Sequence, residues 1–162
     1  MSTHLGQTPE NHVVLMSLDR PGDWRTDWQQ IFPDGTVIGP PWRIPARMML
    51  VITDVDWFYQ NSELPPGTAV LLRLLTCGFQ AVQERGYVVF ESSAVLGPFS
   101  SGGANVAMTT GFVVSSQAFI NVYFWVGDVG PAPPEVFLRG YLMRDPGKWW
   151  WPSVWPSAVW RG

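Results

Sequence analysis

Met48-Met49-Leu50-Val51-Ile52-Thr53-Asp54-Val55-Asp56-Trp57-Phe58-Tyr59 is the stretch from which the fold is read. Apolar, β-branched and aromatic side chains dominate it, which is the composition of a strand. Alternate residues of a strand face opposite ways. The odd positions Met49, Val51, Thr53, Val55, Trp57 and Tyr59 then make a core face. The even positions Met48, Leu50 and Ile52 are apolar as well and turn polar only at Asp54 and Asp56. The first half of this strand is therefore expected to be apolar on both faces.

Outward from it, similar runs recur between turn signals: Thr68–Thr76, Tyr87–Glu91, Ala104–Thr109, Gly111–Ser115, Ala118–Val126 and Val136–Met143. Glu63-Leu64-Pro65-Pro66-Gly67, Glu84-Arg85-Gly86, Gly97-Pro98 and Gly127-Asp128-Val129-Gly130-Pro131 punctuate them. Short strands with Gly/Pro breaks predict an all-β, antiparallel β-sandwich, jelly-roll-like. Alternating βαβ units are absent, which argues against a parallel sheet. Only Phe79–Arg85 has the look of a helical turn here, and Ser100-Ser101-Gly102-Gly103 reads as a flexible loop.

This expected domain occupies residues 46–145. Residues 1–45 read as an irregular N-terminal arm packed on it, with a short apolar run at Val13-Val14-Leu15-Met16 and turns at Asp19-Arg20-Pro21-Gly22 and Pro33-Asp34-Gly35. Pro33, Pro40, Pro41 and Pro45 rule out a long helix in its second half. Trp24–Phe32 has the spacing for two helical turns, with Trp24, Trp28 and Ile31 on one face. Residues 146–162 form an extended Trp/Pro-rich C-terminal tail. They hold half of the ten tryptophans, namely Trp149, Trp150, Trp151, Trp155 and Trp160, in a miniature Trp-Pro-Ser repeat. Prolines four apart exclude a regular helix and a central strand, leaving polyproline-II-like chain.

Two other runs repeat the two-faced pattern. In Ala118–Val126 the even positions suit a core, while Phe119, Tyr123 and Trp125 surround Asn121 on the other face. In Val136–Met143, Val136, Leu138 and Leu142 oppose Phe137, Arg139, Tyr141 and Met143. A sheet facing water carries polar residues on its outer face. Met48, Leu50, Ile52, Phe119, Tyr123, Trp125, Phe137 and Tyr141 are therefore candidate interface residues, to be covered by a second subunit or by the arm and tail of the same chain. Each large apolar side chain left in water forgoes about 1.5–3 kcal/mol.

Charge bounds the partners. Charged residues are 14% of the chain, well below the usual quarter, and the net charge is −3. That balance argues against a sequence-independent nucleic-acid binder, which needs a basic footprint. Cys77 is the single cysteine, so neither an intrachain disulfide nor a Cys-rich zinc site is expected; its apolar neighbours make it a buried thiol. The first residues lack the basic-then-apolar pattern of a secretory signal, and no run of about 18 apolar residues provides a membrane-spanning helix. The expected location is the cytoplasm or a virion.

The run Val136-Phe137-Leu138-Arg139-Gly140-Tyr141-Leu142 resembles the closing strand of the C1q and tumour-necrosis-factor jelly rolls, where a Gly-aromatic-Leu element ends the domain. Gly111-Phe112-Val113-Val114 followed by Ala118–Val126 is similar to the hairpin before it. Compact trimers of this shape occur among phage head-decoration and fibre-tip proteins. The resemblance implies a trimer with inner-sheet aromatics along its axis, Tyr123 and Tyr141 among them, although the family ends at that strand and this chain continues.

Histidine occurs only at His4 and His12, so no Ser-His-Asp or Cys-His arrangement is expected in the body, and no enzymatic activity or cofactor. Asp54 and Asp56, with Glu63 nearby, are the carboxylates that would hold a hard cation; the preferred reading is the solvated end of a strand, without metal. The function expected is structural: a homo-oligomer, as a trimer, that docks on a larger assembly through its apolar faces and the Trp tail. Two alternatives stand beside it. One is a carbohydrate-binding module using Phe119, Tyr123 and Trp125; the other is an accessory subunit of a membrane complex whose Trp tail sits at the interface.

Overall fold

Period-2 alternation and turn punctuation resolve into strands throughout the computed structural model, which describes residues 11–18, 25–39, 41–78, 86–126 and 133–147. In chain order these are β1 (His12–Leu18), β2 (Asp27–Ile31), β3 (Val37–Ile38), β4 (Met48–Gln60), β5 (Ala69–Gly78), β6 (Tyr87–Val95), β7 (Ser101–Ser115), β8 (Ala118–Trp125) and β9 (Glu135–Arg144). They form two antiparallel sheets, a six-stranded one in the order β3-β2-β1-β9-β4-β7 and a three-stranded one in the order β6-β5-β8. The first and last strands are neighbours, and β4 to β5, β6 to β7, β7 to β8 and β8 to β9 each pass from one sheet to the other. This is the winding of a jelly-roll-like sandwich. Among the described residues there is no helix long and apolar enough to cross a membrane.

The core lies between the sheets. Leu15, Leu50, Ile52, Val55, Trp57, Tyr59, Val136 and Leu138 of the larger sheet meet Val70, Leu72, Leu74, Phe90 and Ile120 of the smaller one, all buried. At about 1.5–3 kcal/mol for each large side chain, this interface is the main source of stability. Two tryptophans span the layers with their polar ends satisfied. The Trp57 indole N–H donates to Ser92 Oγ (3.1 Å), and that of Trp28 donates to the Ile120 carbonyl (2.9 Å).

Three sequence expectations need correction. The arm at residues 1–45 contributes β1, β2 and β3 to the larger sheet, and Trp24–Phe32, expected as helical turns, is strand over Asp27–Ile31. Pairing with β1 decides it: as a strand, β2 buries Trp28 against the core and turns Gln29 outward beside Met16. Asp34, between β2 and β3, accepts hydrogen bonds from the Thr36 hydroxyl and N–H (2.7 and 2.9 Å), which hold its carboxyl below its ordinary pKa. Ala104–Thr109 and Gly111–Ser115 belong to one long strand, β7. Its first residues, Ser101 to Gly103, are the expected loop, here paired with Tyr59, Gln60 and Phe58 of β4. Ser100 is a fixed corner, its hydroxyl bonded to the Leu64 carbonyl (2.6 Å). Phe79–Arg85 lies outside the described residues.

The third correction concerns β4 itself. Thr53 is an extra residue, a β-bulge, so that Ile52 pairs with Gly140 while Asp54 pairs with Arg139. One extra residue shifts the alternation by one. Before the bulge the even residues Leu50 and Ile52 face the core; after it the odd residues Val55, Trp57 and Tyr59 do. Leu50 and Ile52 are therefore core residues of their own chain, closed to any partner, at 1% and 0% exposure.

Glycines fix the bulge from both sides. A Cβ on Gly140 would strike the Val51 carbonyl, and one on Gly111, whose φ is 67°, would strike that of Ile52. Gly111→Ala should cost at least the 1–2 kcal/mol of a left-handed alanine, and more for the collision. Gly35→Ala provides the comparison, because Gly35 has a φ of 83° with nothing within 4 Å of the added carbon. Urea denaturation should show Gly111→Ala clearly the more destabilised; equal losses would mean that β7 moves aside freely.

Candidate interaction surfaces

The outer face of the larger sheet follows from the shifted alternation. Phe137 pairs in register with Met16 and Asp56, Tyr141 with His12 and Val51, and both are half-buried. Met48, half-buried, opens β4 opposite Arg144. Asp54 and Asp56 share this face beyond the bulge. Arg139, the register partner of Asp54, lies 3.6 Å from Asp56, and the Thr53 hydroxyl donates to Asp54 (2.8 Å). Glu63 sits in the turn after β4, and no group of three or more His, Cys, Asp or Glu able to hold a metal occurs among the described residues. A guanidinium paired with Asp56 makes the cluster a poor cation site.

The smaller sheet carries the alternation that its sequence suggests. In β8, Ile120 is buried, and Phe124 packs its ring on Tyr59 (4.6 Å between centroids) and edge-on to Trp57 (6.1 Å). Phe119, Asn121, Tyr123 and Trp125 face outward. One corner of this face is covered from within the chain. Arg25 lies over the Phe119 ring at 5.1 Å. Thr26 donates its N–H and hydroxyl to the Asn121 side chain (2.8 and 3.0 Å) and accepts the Val122 N–H (2.9 Å). The residues just before β2 thus cap the outer edge of β8.

The rest of this face is open among the described residues. Tyr123 and Trp125 are 48% and 47% exposed, and Val88 is 51% exposed. In register with Trp125 and Tyr123 stand Leu71 and Arg73 of β5. Arg73 and Glu91 form a 2.6 Å ion pair between half-exposed groups, which contributes little to stability. Cys77 is buried on this face beneath Gly86, and burial pushes its thiol pKa up, with Arg25 pulling it partly back. Of the three outward rings of β8, Phe119 is the one that Arg25 covers, and Tyr123 and Trp125 are the exposed pair.

An edge supplies a further surface that the sequence reading did not single out. Among the described residues β7 pairs with β4 alone, and it contains no Asp, Glu, Lys, Arg or Pro from end to end. Natural edge strands are usually blunted by such residues or kept short, as β3 is at the opposite edge. Ala104, Val106, Met108 and Phe112 of β7 reach the core only partly buried, because the narrow sheet opposite does not cover them fully. Val113 is 52% exposed. The signal was in the sequence: Ser92 through Val126 contains no charged residue. The tail tryptophans Trp149, Trp150, Trp151, Trp155 and Trp160 lie outside the described residues. No protein-family model matches the chain, and no curated protein matches its sequence.

Proposed function

We propose that the chain is a non-enzymatic structural protein that assembles with copies of itself, as a trimer, and seats on a larger assembly such as a virion. The observation that carries this reading is the charge-free stretch from Ser92 to Val126, which holds both the β7 edge and the outward aromatics Tyr123 and Trp125. A ring of copies needs two different patches on each subunit, one meeting the other on its neighbour. The β7 edge and the Tyr123–Trp125 face are two such patches. Aromatic side chains with few charges around them are what interface centres are made of. The Trp-rich tail, in this reading, latches the ring to its neighbour or to the larger assembly.

Light scattering of the full chain, and of a chain cut after Asp145, tests the proposal. The full chain should scatter as three times its 18.2 kDa mass. A monodisperse monomer across the micromolar range would overturn the self-assembly. If the shortened chain alone is monomeric, the tail is the latch; if it remains trimeric, the sheet surfaces hold the ring.

A further inference from the structure

The irregularities of two neighbouring strands, β4 and β7, fall at one level of the larger sheet. Against β9, β4 has the extra residue Thr53. Against β4, β7 carries Met108 to Gly111 between Ala107, which pairs with Asp54, and Phe112, which pairs with Ile52. Gly111 and Gly140, where a Cβ would meet backbone carbonyls, build the distortion into the sequence. Its result is a groove on the outer face, lined by His12, Asp54, Thr109, Thr110, Arg139 and Tyr141 with Val14 at its side. Bulges that re-aim side chains recur beside binding sites.

We infer that this groove binds a neutral saccharide. The argument is one of chemical balance. Arg139 pairs in register with Asp54 and lies 3.6 Å from Asp56, which leaves His12 at the rim as the other basic group of the lining, so the groove offers little positive charge for an anion and lacks the oxygen cage that a hard cation needs. An apolar ligand would strand hydroxyls, a carboxylate and a guanidinium without water. A ligand bearing many hydroxyls satisfies all of them. The Asp54 carboxylate accepts, Arg139 donates, and Thr109 and Thr110 do either. The half-buried Tyr141 ring offers an apolar surface for the C–H face of a pyranose, with a hydroxyl at its rim. This site is separate from Tyr123 and Trp125, and it does not depend on how the chain assembles.

Saturation-transfer NMR on the full chain tests it, with glucose, galactose, N-acetylglucosamine, maltose and lactose as probes at millimolar concentration; calcium chloride and inorganic phosphate, which have no carbon-bound protons to observe, serve as counter-probes scored by shifts in the protein's own spectrum. At least one sugar should receive saturation. Tyr141→Ala and the near-isosteric Asp54→Asn should each weaken that sugar by about tenfold or more, while Trp125→Ala leaves it unchanged. Thermal melting of Asp54→Asn, expected to match the parent, separates lost contacts from lost fold. The inference is overturned if no sugar is saturated, if only calcium or phosphate binds, or if Trp125→Ala abolishes a signal that the groove variants keep.

Discussion

Trp57→Ala lowers the stability of the sandwich by about 3–5 kcal/mol, the range for emptying a large aromatic site in a core. The size follows from where the ring sits. Trp57 is on β4, which is paired on both sides by β9 and β7, and is 1% exposed. Its ring meets Phe124 of β8 edge-on at 6.1 Å, and its N–H reaches Ser92 of β6. One side chain therefore ties β4 to both outer strands of the opposite sheet. Removing it opens a cavity that close-packed neighbours cannot fill, and leaves the Ser92 hydroxyl to find another partner. Against a total of about 5–15 kcal/mol for a typical domain, that loss brings the chain near its threshold. Trp57→Phe keeps a ring against Phe124 and loses the N–H, so it should cost about 2 kcal/mol. Urea denaturation followed by far-UV circular dichroism reads both, and the midpoint should fall with the slope unchanged. A loss below about 1 kcal/mol in Trp57→Ala would mean that the two sheets are not held through this residue.

The strands of the body were legible because their alternation is a local property. β8 shows it most simply: its eight residues run without a bulge, so the outward set Phe119, Asn121, Tyr123 and Trp125 came directly from counting by two. In β4 the same count held from Val55 onward and failed up to Ile52, where Leu50 and Ile52 rather than Met49 and Val51 face the core. Whether Thr53 is an extra residue depends on which residues of β9 and β7 lie opposite, and Gly140 and Gly111 are far away in the chain. The strands β1 and β2 were hidden for a related reason. β1 finds its pairing with β9, at the other end of the sequence, and β2 is held by Trp28 reaching Ile120. Proline punctuation after Phe32 described the connections correctly and said nothing about those partners. The outward aromatics of the candidate surface were thus readable, whereas the groove at the bulge was not, since it is lined by residues of four strands, β1, β4, β7 and β9.

Asn105→Lys combined with Ala107→Lys should convert the proposed trimer into a monomer of 18.2 kDa by light scattering, without unfolding it. Both positions are exposed on β7. In register across β4 they face Asp56 and Asp54, so each lysine acquires a carboxylate as a cross-strand neighbour. Such pairs contribute about 0.2–1 kcal/mol, which makes the folded monomer no less stable than the parent. The association suffers instead. An ammonium carried into an apolar contact without a full partner there costs several kcal/mol. Since each 1.4 kcal/mol is tenfold, two such groups on every subunit weaken the contact by about a thousandfold or more. The same ring should fail from its other side in Trp125→Ala, which removes the aromatic that β7 is proposed to meet. A mass that drops in both variants, with melting temperatures held, identifies β7 and the Trp125 face as the two halves of one repeated contact. If the lysine pair leaves the mass unchanged while Trp125→Ala lowers it, the aromatic face has another partner and the β7 edge must be kept from pairing by something other than a neighbouring copy.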